Sequence, residues 1–398
     1  MDKYLILKEK FGFTEFKYPQ DSIIDNVFKG NEVIGLLPTG FGKSIIYQVL
    51  ALMLDGLSIV ITPLISLMED QIANLKKKNI SAVMLNSSVP WKEQEAIFQK
   101  ILMKKYKILY VSPERLSNIY FLKIMNICKI SLVVVDEAHT ILWADGFREA
   151  FGEIGSFLHG LATRPKILAV TATATAHTLF KIKTILGMKE PKVIEASIDR
   201  RNLVYKVLSP KDKNLVLLHL IQTHKKEKGI IYCLTRRKVE ELYYILQKKN
   251  IACSYYHGGL EAEVKKQNQR NFTKGEVDWL VCTNAFGMGI DIPDIRLVIA
   301  YELPQSLEDL VQQMGRAARD GKHGEGIVLF SFKDIKTINY FIEQQSNPTV
   351  RSLNRKKRDI LVEYCLTRKC RHKFIGNYFN QVIPVCKDKC DNCIKKSR

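Results

Sequence analysis

No uninterrupted apolar stretch of the sequence approaches the ~18 residues that cross a bilayer, so a membrane-spanning reading drops out. The N-terminal stretch MDKYLILKEKFGF carries charges throughout and lacks the apolar core of a secretory signal. Neither a repeat of fixed period nor a low-complexity segment is present. Acidic residues are scarce beside basic ones: 61 Lys+Arg against 41 Asp+Glu leave a formal charge of +20. That surplus favours a polyanionic partner; a lysine-rich solvated surface would give the same count. Paired cysteines are lacking as well. Of the nine, Cys128, Cys233, Cys253 and Cys282 sit singly in apolar runs and read as reduced core residues. Cys370, Cys386, Cys390 and Cys393 cluster near the C-terminus, with Cys365 a spare. The odd total and uneven layout argue against a secreted disulfide framework.

With 398 residues there is room for two or three domains, each with its own core. Ten short β-branched runs alternate with helical stretches: EVIGLL (32–37), LSIVIT (57–62), KILYVS (107–112), SLVVVDE (131–137), KILAVTA (166–172), KGIIYC (228–233), CSYYH (253–257), DWLVCT (278–283), RLVIAY (296–301) and GIVLFS (326–331). Near-continuous apolar strands between helices mean parallel sheets covered on both faces. Ten are too many for one compact sheet, so the fold class is α/β with two doubly wound parallel sheets. A polar, proline-bearing break at LSPKDKNL (208–215) separates the two series. The expected domains are 1–205, 206–340 and a basic, helical, Cys-rich tail, 341–398.

LPTGFGKSIIYQ (37–48) lies between a strand and an apolar helix. Gly40 and Gly42, with Thr39, allow the backbone to curl so that its N–H groups face an anion at the helix N-terminus. Lys43 would reach the β- and γ-phosphates, and Ser44 would hold Mg²⁺. Leu37 stands where the strict phosphate-loop pattern has its first glycine. LVVVDEAH (132–139) is an apolar strand ending in two carboxylates. Asp136 can bind the same Mg²⁺ through water, and Glu137 can orient or deprotonate an attacking water. Loop and tetrad together point to nucleoside-triphosphate hydrolysis. Arg316 and Arg319 in QQMGRAARDG (312–321) are three apart, hence on one face of a helical turn. They lie in the second sheet region and would meet the charge that develops as the phosphate bond breaks, tying hydrolysis to closure of a cleft.

On these residues the chain resembles the RecQ family of superfamily-two helicases, over nearly its whole length. FGFTEFKYPQ (11–20) resembles the family's adenine-reading segment, which implies adenine contact by Gln20 and a neighbouring role for Lys17, where an arginine is usual. TPLISLMEDQ (62–71), SPERL (112–116), DEAH and TATAT (171–175) resemble successive motifs of the first motor domain. GIIYCLTRRKVEEL (229–242), YYHGGL (255–260), CTNAFGMGIDIPDIRLV (282–298) and QQMGRAARDG resemble those of the second. The resemblance implies two RecA-like domains and a small helical zinc-binding subdomain. It also implies nucleotide contacts by Gly289 and Asp291 and DNA-backbone contacts by Ser112, Arg115, Thr235 and Arg236. TILWADGFREAF (140–151) resembles the family's aromatic-rich loop, departing from it at Ala144-Asp145-Gly146. Trp143, Phe147 and Arg148 match its pattern; the rings would stack on unpaired bases, or else pack into the core. Ala318 stands at a usual glycine, where a helical backbone would tolerate it.

The cysteines, spaced by fifteen, three and two residues, resemble the family's structural Zn²⁺ site. The basic stretches NRKKRDI (354–360) and RKCRHK (368–373) read as a duplex-phosphate surface or as a solvated helix face. The chain ends just past the zinc ligands, and the winged-helix domain of many relatives is not found in it. The resemblance implies an ATP-dependent 3′→5′ DNA helicase, expected as a monomer inside the cell, in the nucleus of a eukaryote or otherwise the cytoplasm, acting on single-stranded, duplex or forked DNA in repair, recombination or replication. Two rivals remain: an annealing or remodelling factor with a weak motor, and an RNA helicase.

Overall fold

The computed structural model describes residues 2–63, 65–86, 89–145, 149–286 and 292–396. The chain divides into two compact units, Met1–Ser197 and Ile198–Arg398.

The first unit holds a seven-stranded sheet. Its strands are β1 (Val33–Leu36), β2 (Leu57–Ile61), β3 (Ala82–Leu85), β4 (Ile108–Val111), β5 (Ile130–Asp136), β6 (Lys166–Thr171) and β7 (Lys192–Glu195). They run in the order β3-β4-β2-β5-β6-β1-β7, and every pairing is parallel. Val133 and Val135 of β5 enter one core while Leu132 and Val134 enter another. Successive side chains of a strand point to opposite faces, so the apolar run of β5 exists because both faces are covered.

The second unit repeats this plan with six strands: β8 (Leu203–Leu208), β9 (Lys228–Tyr232), β10 (Cys253–Tyr256), β11 (Trp279–Cys282), β12 (Ile295–Ala300) and β13 (Gly324–Leu329). Their order is β10-β11-β9-β12-β13-β8, again parallel throughout. Gly229 on β9 is held to glycine by its neighbour: a Cβ there would come within 2.1 Å of the Trp279 ring. All ten runs picked out in the sequence are strands; β3, β7 and β8 are additional. β8 spans position 205 and belongs to the second sheet, and the unit containing it begins at Ile198.

The C-terminal tail is helical, with helices Pro348–Leu366, Arg371–Tyr378 and Asp391–Lys396. Asn347 caps the first, its side chain accepting from the Thr349 and Val350 N–H groups. The tail shares its core with the second sheet: Leu361, Tyr364, Ile375, Phe379 and Ile383 pack in one cluster with Leu203, Tyr205 and Val298. The Tyr205 N–H donates to the Lys389 carbonyl (3.1 Å), so the tail also pairs with the exposed edge of β8. Among the described residues no helix is long and apolar enough to cross a membrane.

Candidate functional site

β1 delivers the chain to the loop before the helix Lys43–Met53. Gly40 (φ 78°) and Gly42 (φ 80°) both adopt the left-handed conformation that glycine supplies at least cost. With Gly42 as N-cap, the first helical residues are Lys43 and Ser44, and no side chain caps their N–H groups. The loop is strapped from outside. Buried Gln20 donates through Nε2 to the Phe41 carbonyl (2.8 Å) and the Gly42 carbonyl (3.2 Å), while its Oε1 accepts from the Lys17 N–H (2.9 Å). The amide nitrogen is thereby fully used, while the oxygen keeps a second lone pair. Thr39 is half-buried beside the loop.

Lys43 Nζ lies 3.0 Å from Glu137 Oε1, both side chains being largely buried. Glu137 sits in the left-handed region (φ 49°), and its N–H donates to Asp136 Oδ1 (2.9 Å). Tyr47, on the loop helix, donates to Asp136 Oδ2 (3.2 Å). Burial first, and then the Glu137 charge, push the Asp136 carboxyl up to about 6, against the opposing pull of Lys43. A dication beside Asp136 would reverse both effects, so the donor set of Ser44 and Asp136 fits magnesium. His139 Nδ1 lies 2.8 Å from Thr171 Oγ1 and 3.5 Å from Glu137 Oε2, which ties the tetrad to the TATAT segment.

Arg316 and Arg319 do not lie on the helix Leu307–Met314; they follow it, in the turns at 315–320. Ala318, between them, has φ 49°. This corrects the expectation of a helical residue there: the position is left-handed, which explains why glycine is usual. The turn is clamped by Arg200, which donates to the carbonyls of Gly315 (3.2 Å), Ala317 (2.9 Å) and Ala318 (3.0 Å). Asn202 adds a bond to the Ala318 carbonyl (2.9 Å). Buried Tyr232 lies beside both arginines; burial pushes its phenol up, and the two cations oppose that shift. Sequence reasoning missed Tyr47, Arg200, Asn202 and Tyr232, because each acts across a long stretch of chain.

The expected nucleic-acid residues are placed as follows. Ser112 follows β4 and is buried, its hydroxyl lacking a partner among the described residues. Arg115 Nη2 donates to Gln94 Oε1. Thr235 caps the helix Arg236–Lys248, accepting from the Lys238 N–H. Arg236 lies against Gly259, where a Cβ would stand 2.9 Å from its Nη1. The backbone of Trp143 belongs to a 3-10 helix, Ala138–Asp145. Its side chain, together with Phe147, Arg148, Gly289 and Asp291, lies outside the described residues.

In the tail, the sulfurs of Cys370, Cys386, Cys390 and Cys393 lie within 4.8 Å of one another. That spacing suits four thiolates around one zinc, with Zn–S about 2.3 Å. Burial opposes ionisation of Cys370, but N–H groups of Lys373 and Cys386 outweigh it and lower the thiol, whereas burial and neighbouring sulfurs push the Cys386 and Cys393 thiols up. Arg371 and Asp391 form a buried ion pair next to the cluster.

Three family models match in chain order: DEAD/DEAH box helicase over residues 17–182, helicase conserved C-terminal domain over 212–321, and RecQ zinc-binding over 332–394. The ATP-dependent DNA helicase RecQ of Bacillus subtilis is 36% identical over 98% of this chain and 66% of its own length. A second Bacillus subtilis protein, named "Probable ATP-dependent DNA helicase RecS", is 37% identical over 90% of this chain and 75% of its own length. The chain belongs to the RecQ family. It spans just under two thirds of the Bacillus RecQ protein. The solved structure of Saccharomyces cerevisiae Dbp5 bound to RNA and ADP BeF3 superposes with a TM-score of 0.71 at 18% identity, covering 90% of this chain and 97% of that one. At that identity the likeness is one of fold: this RecQ-family chain contains two RecA-like parallel-sheet domains.

Proposed function

We propose that this chain is an ATP-driven motor that moves 3′→5′ along single-stranded DNA and separates the duplex ahead of it. The observation that carries the reading is the Lys43–Glu137 pair at the N-terminus of the loop helix, beside buried Asp136. Without nucleotide, cation and carboxylate neutralise each other. Phosphate oxygens entering the loop give Lys43 a stronger partner and release Glu137 to hold the attacking water. Magnesium held by Ser44 and Asp136 would shield the phosphate charge and orient the bond to be broken. Gln20 keeps the loop in register with the adenine-reading segment. Arg316 and Arg319, carried on the turn that Arg200 braces, are assigned to the developing charge. That assignment makes hydrolysis depend on both units. Separating each base pair costs about 0.6–2.2 kcal/mol in stacking, which is why a chemical fuel is required.

Family membership, the net charge of +20 and the zinc-ready cluster support DNA as the track. Arg115, Thr235 and Arg236 are proposed to hold its backbone, and Trp143, Phe147 and Arg148 its bases. Because β8 spans position 205, the first limit of the working division 1–205, 206–340 and 341–398 moves to Ser197, and the limit at 340 is kept. Steady-state ATP hydrolysis with single-stranded DNA, with single-stranded RNA and with neither tests the reading. DNA should stimulate turnover most. Stimulation by RNA alone would favour an RNA helicase, and no stimulation by either would remove the motor.

A further inference from the structure

The helix that opens with Lys43 and Ser44 carries Tyr47 and Gln48 one turn further on, and these two residues face different parts of the first unit. Tyr47 is 1% exposed and donates to Asp136 Oδ2 (3.2 Å). Gln48 is 5% exposed and donates through Nε2 to Gln71 Oε1 (2.7 Å). Gln71 belongs to the helix Ile65–Lys77, which leaves the end of β2 directly after Thr62. Tyr110, from β4, is buried in the same core as Tyr47, its hydroxyl without a hydrogen-bond partner among the described residues. One phenol and two amides, Tyr47, Gln48 and Gln71, therefore link the DEAH carboxylate through the loop helix to the helix Ile65–Lys77. All three are neutral, and they cross an otherwise apolar core of Val60, Val134 and Met68.

An apolar core has no need of such groups. Polar groups buried there are costly unless each is partnered, and when partnered they fix one arrangement over its alternatives. Thr62 and Ser112 close the neighbouring strands β2 and β4 on the same rim, each with a buried hydroxyl that has no partner among the described residues. The ends of β2 and β4 thus carry two buried hydroxyls, unpartnered among the described residues, and Ser112 lies close in sequence to Arg115, which the motor reading assigns to the DNA backbone.

We propose that the contacts Asp136–Tyr47 and Gln48–Gln71, joined by the loop helix, form a relay that couples polynucleotide bound at the ends of β2 and β4 to the orientation of Asp136. Gln48 and Gln71 are positioning residues: neither touches nucleotide or DNA, and both act through the loop helix. A shift of the helix Ile65–Lys77 pulls on Gln48, the loop helix follows, and Tyr47 turns the carboxylate. The inference rests on the motor reading above and deepens it by naming the internal link between track and fuel.

The test uses the full chain and two substitutions at one position. Gln71→Leu removes the acceptor for Gln48 while keeping bulk; Gln71→Glu keeps an acceptor at the same place. ATP turnover is measured without polynucleotide and across a titration of single-stranded DNA. Gln71→Leu should leave unstimulated turnover within about twofold of the parent and lower the DNA-stimulated kcat about threefold or more. Gln71→Glu should restore most of that loss. Equal losses with and without DNA would mean that the contact only supports packing and would overturn the proposal, as would Glu behaving like Leu or full stimulation in Gln71→Leu. A parent chain without any stimulation would sink the motor reading itself, and the relay with it.

Discussion

Replacing Asp391 with alanine should detach the C-terminal tail from the second sheet. Asp391 is 9% exposed and its partner Arg371 3%. The carboxylate accepts from Arg371 Nε and Nη2, from the Val207 N–H on β8 (3.0 Å) and from the Asn392 N–H (2.9 Å). Arg371 also donates to the Tyr364 carbonyl (2.7 Å) and stands 5.3 Å from the centre of that ring. Truncation leaves a buried guanidinium without its counter-charge, at a cost of about 3–5 kcal/mol. It also strands the Val207 N–H, which adds about 1 kcal/mol or more. Asp391→Asn keeps an oxygen for Val207 but loses the charge, so roughly half of the combined loss should remain. Urea unfolding followed by circular dichroism, with zinc release read by a chromophoric chelator, measures both effects. A loss under about 1 kcal/mol for alanine, the range of an exposed ion pair, would refute the reasoning. So would equal losses for alanine and asparagine.

Lys43→Ala should lower ATP turnover about 10²-fold or more, the scale of a lost charge-stabilising donor; retained turnover would show the phosphate loop to be misassigned. Gly229→Ala forces a methyl to within 2.1 Å of the Trp279 ring, so the second unit should lose about 1–3 kcal/mol from overpacking, and an unchanged unfolding midpoint would contradict that packing. Chelation of zinc should open the segment between Leu366 and Cys393 to protease, since Cys370, Cys390 and Cys393 belong to the shared core; unchanged cleavage would count against a structural metal.

Much of this was legible in the sequence because the informative strands are buried on both faces. The ten runs chosen from apolar continuity include every interior strand of both sheets. The three that escaped, β3, β7 and β8, are all at sheet edges. KVIE of β7 is mostly solvent-facing and never builds an apolar run. Local chemistry was equally readable: Lys43 and Ser44 follow their glycines directly, and Asp136 and Glu137 end a strand. What could not be read were contacts made across the fold. Nothing near Gln20 announces that it straps the phosphate loop, and nothing near Arg200 announces the carbonyls of Gly315 to Ala318. The left-handed backbone of Ala318 was missed for a related reason. A residue type constrains its own conformation weakly, and here the surrounding turn sets it.

The account stands or falls on strand release from short duplexes that differ only in the polarity of a single-stranded tail. It predicts release that requires ATP and magnesium, occurs from 3′-tailed but not 5′-tailed or blunt duplex, and vanishes with Lys43→Ala. Hydrolysis that proceeds normally on single-stranded DNA while no tailed duplex is ever opened, or release that needs no nucleotide, would contradict it.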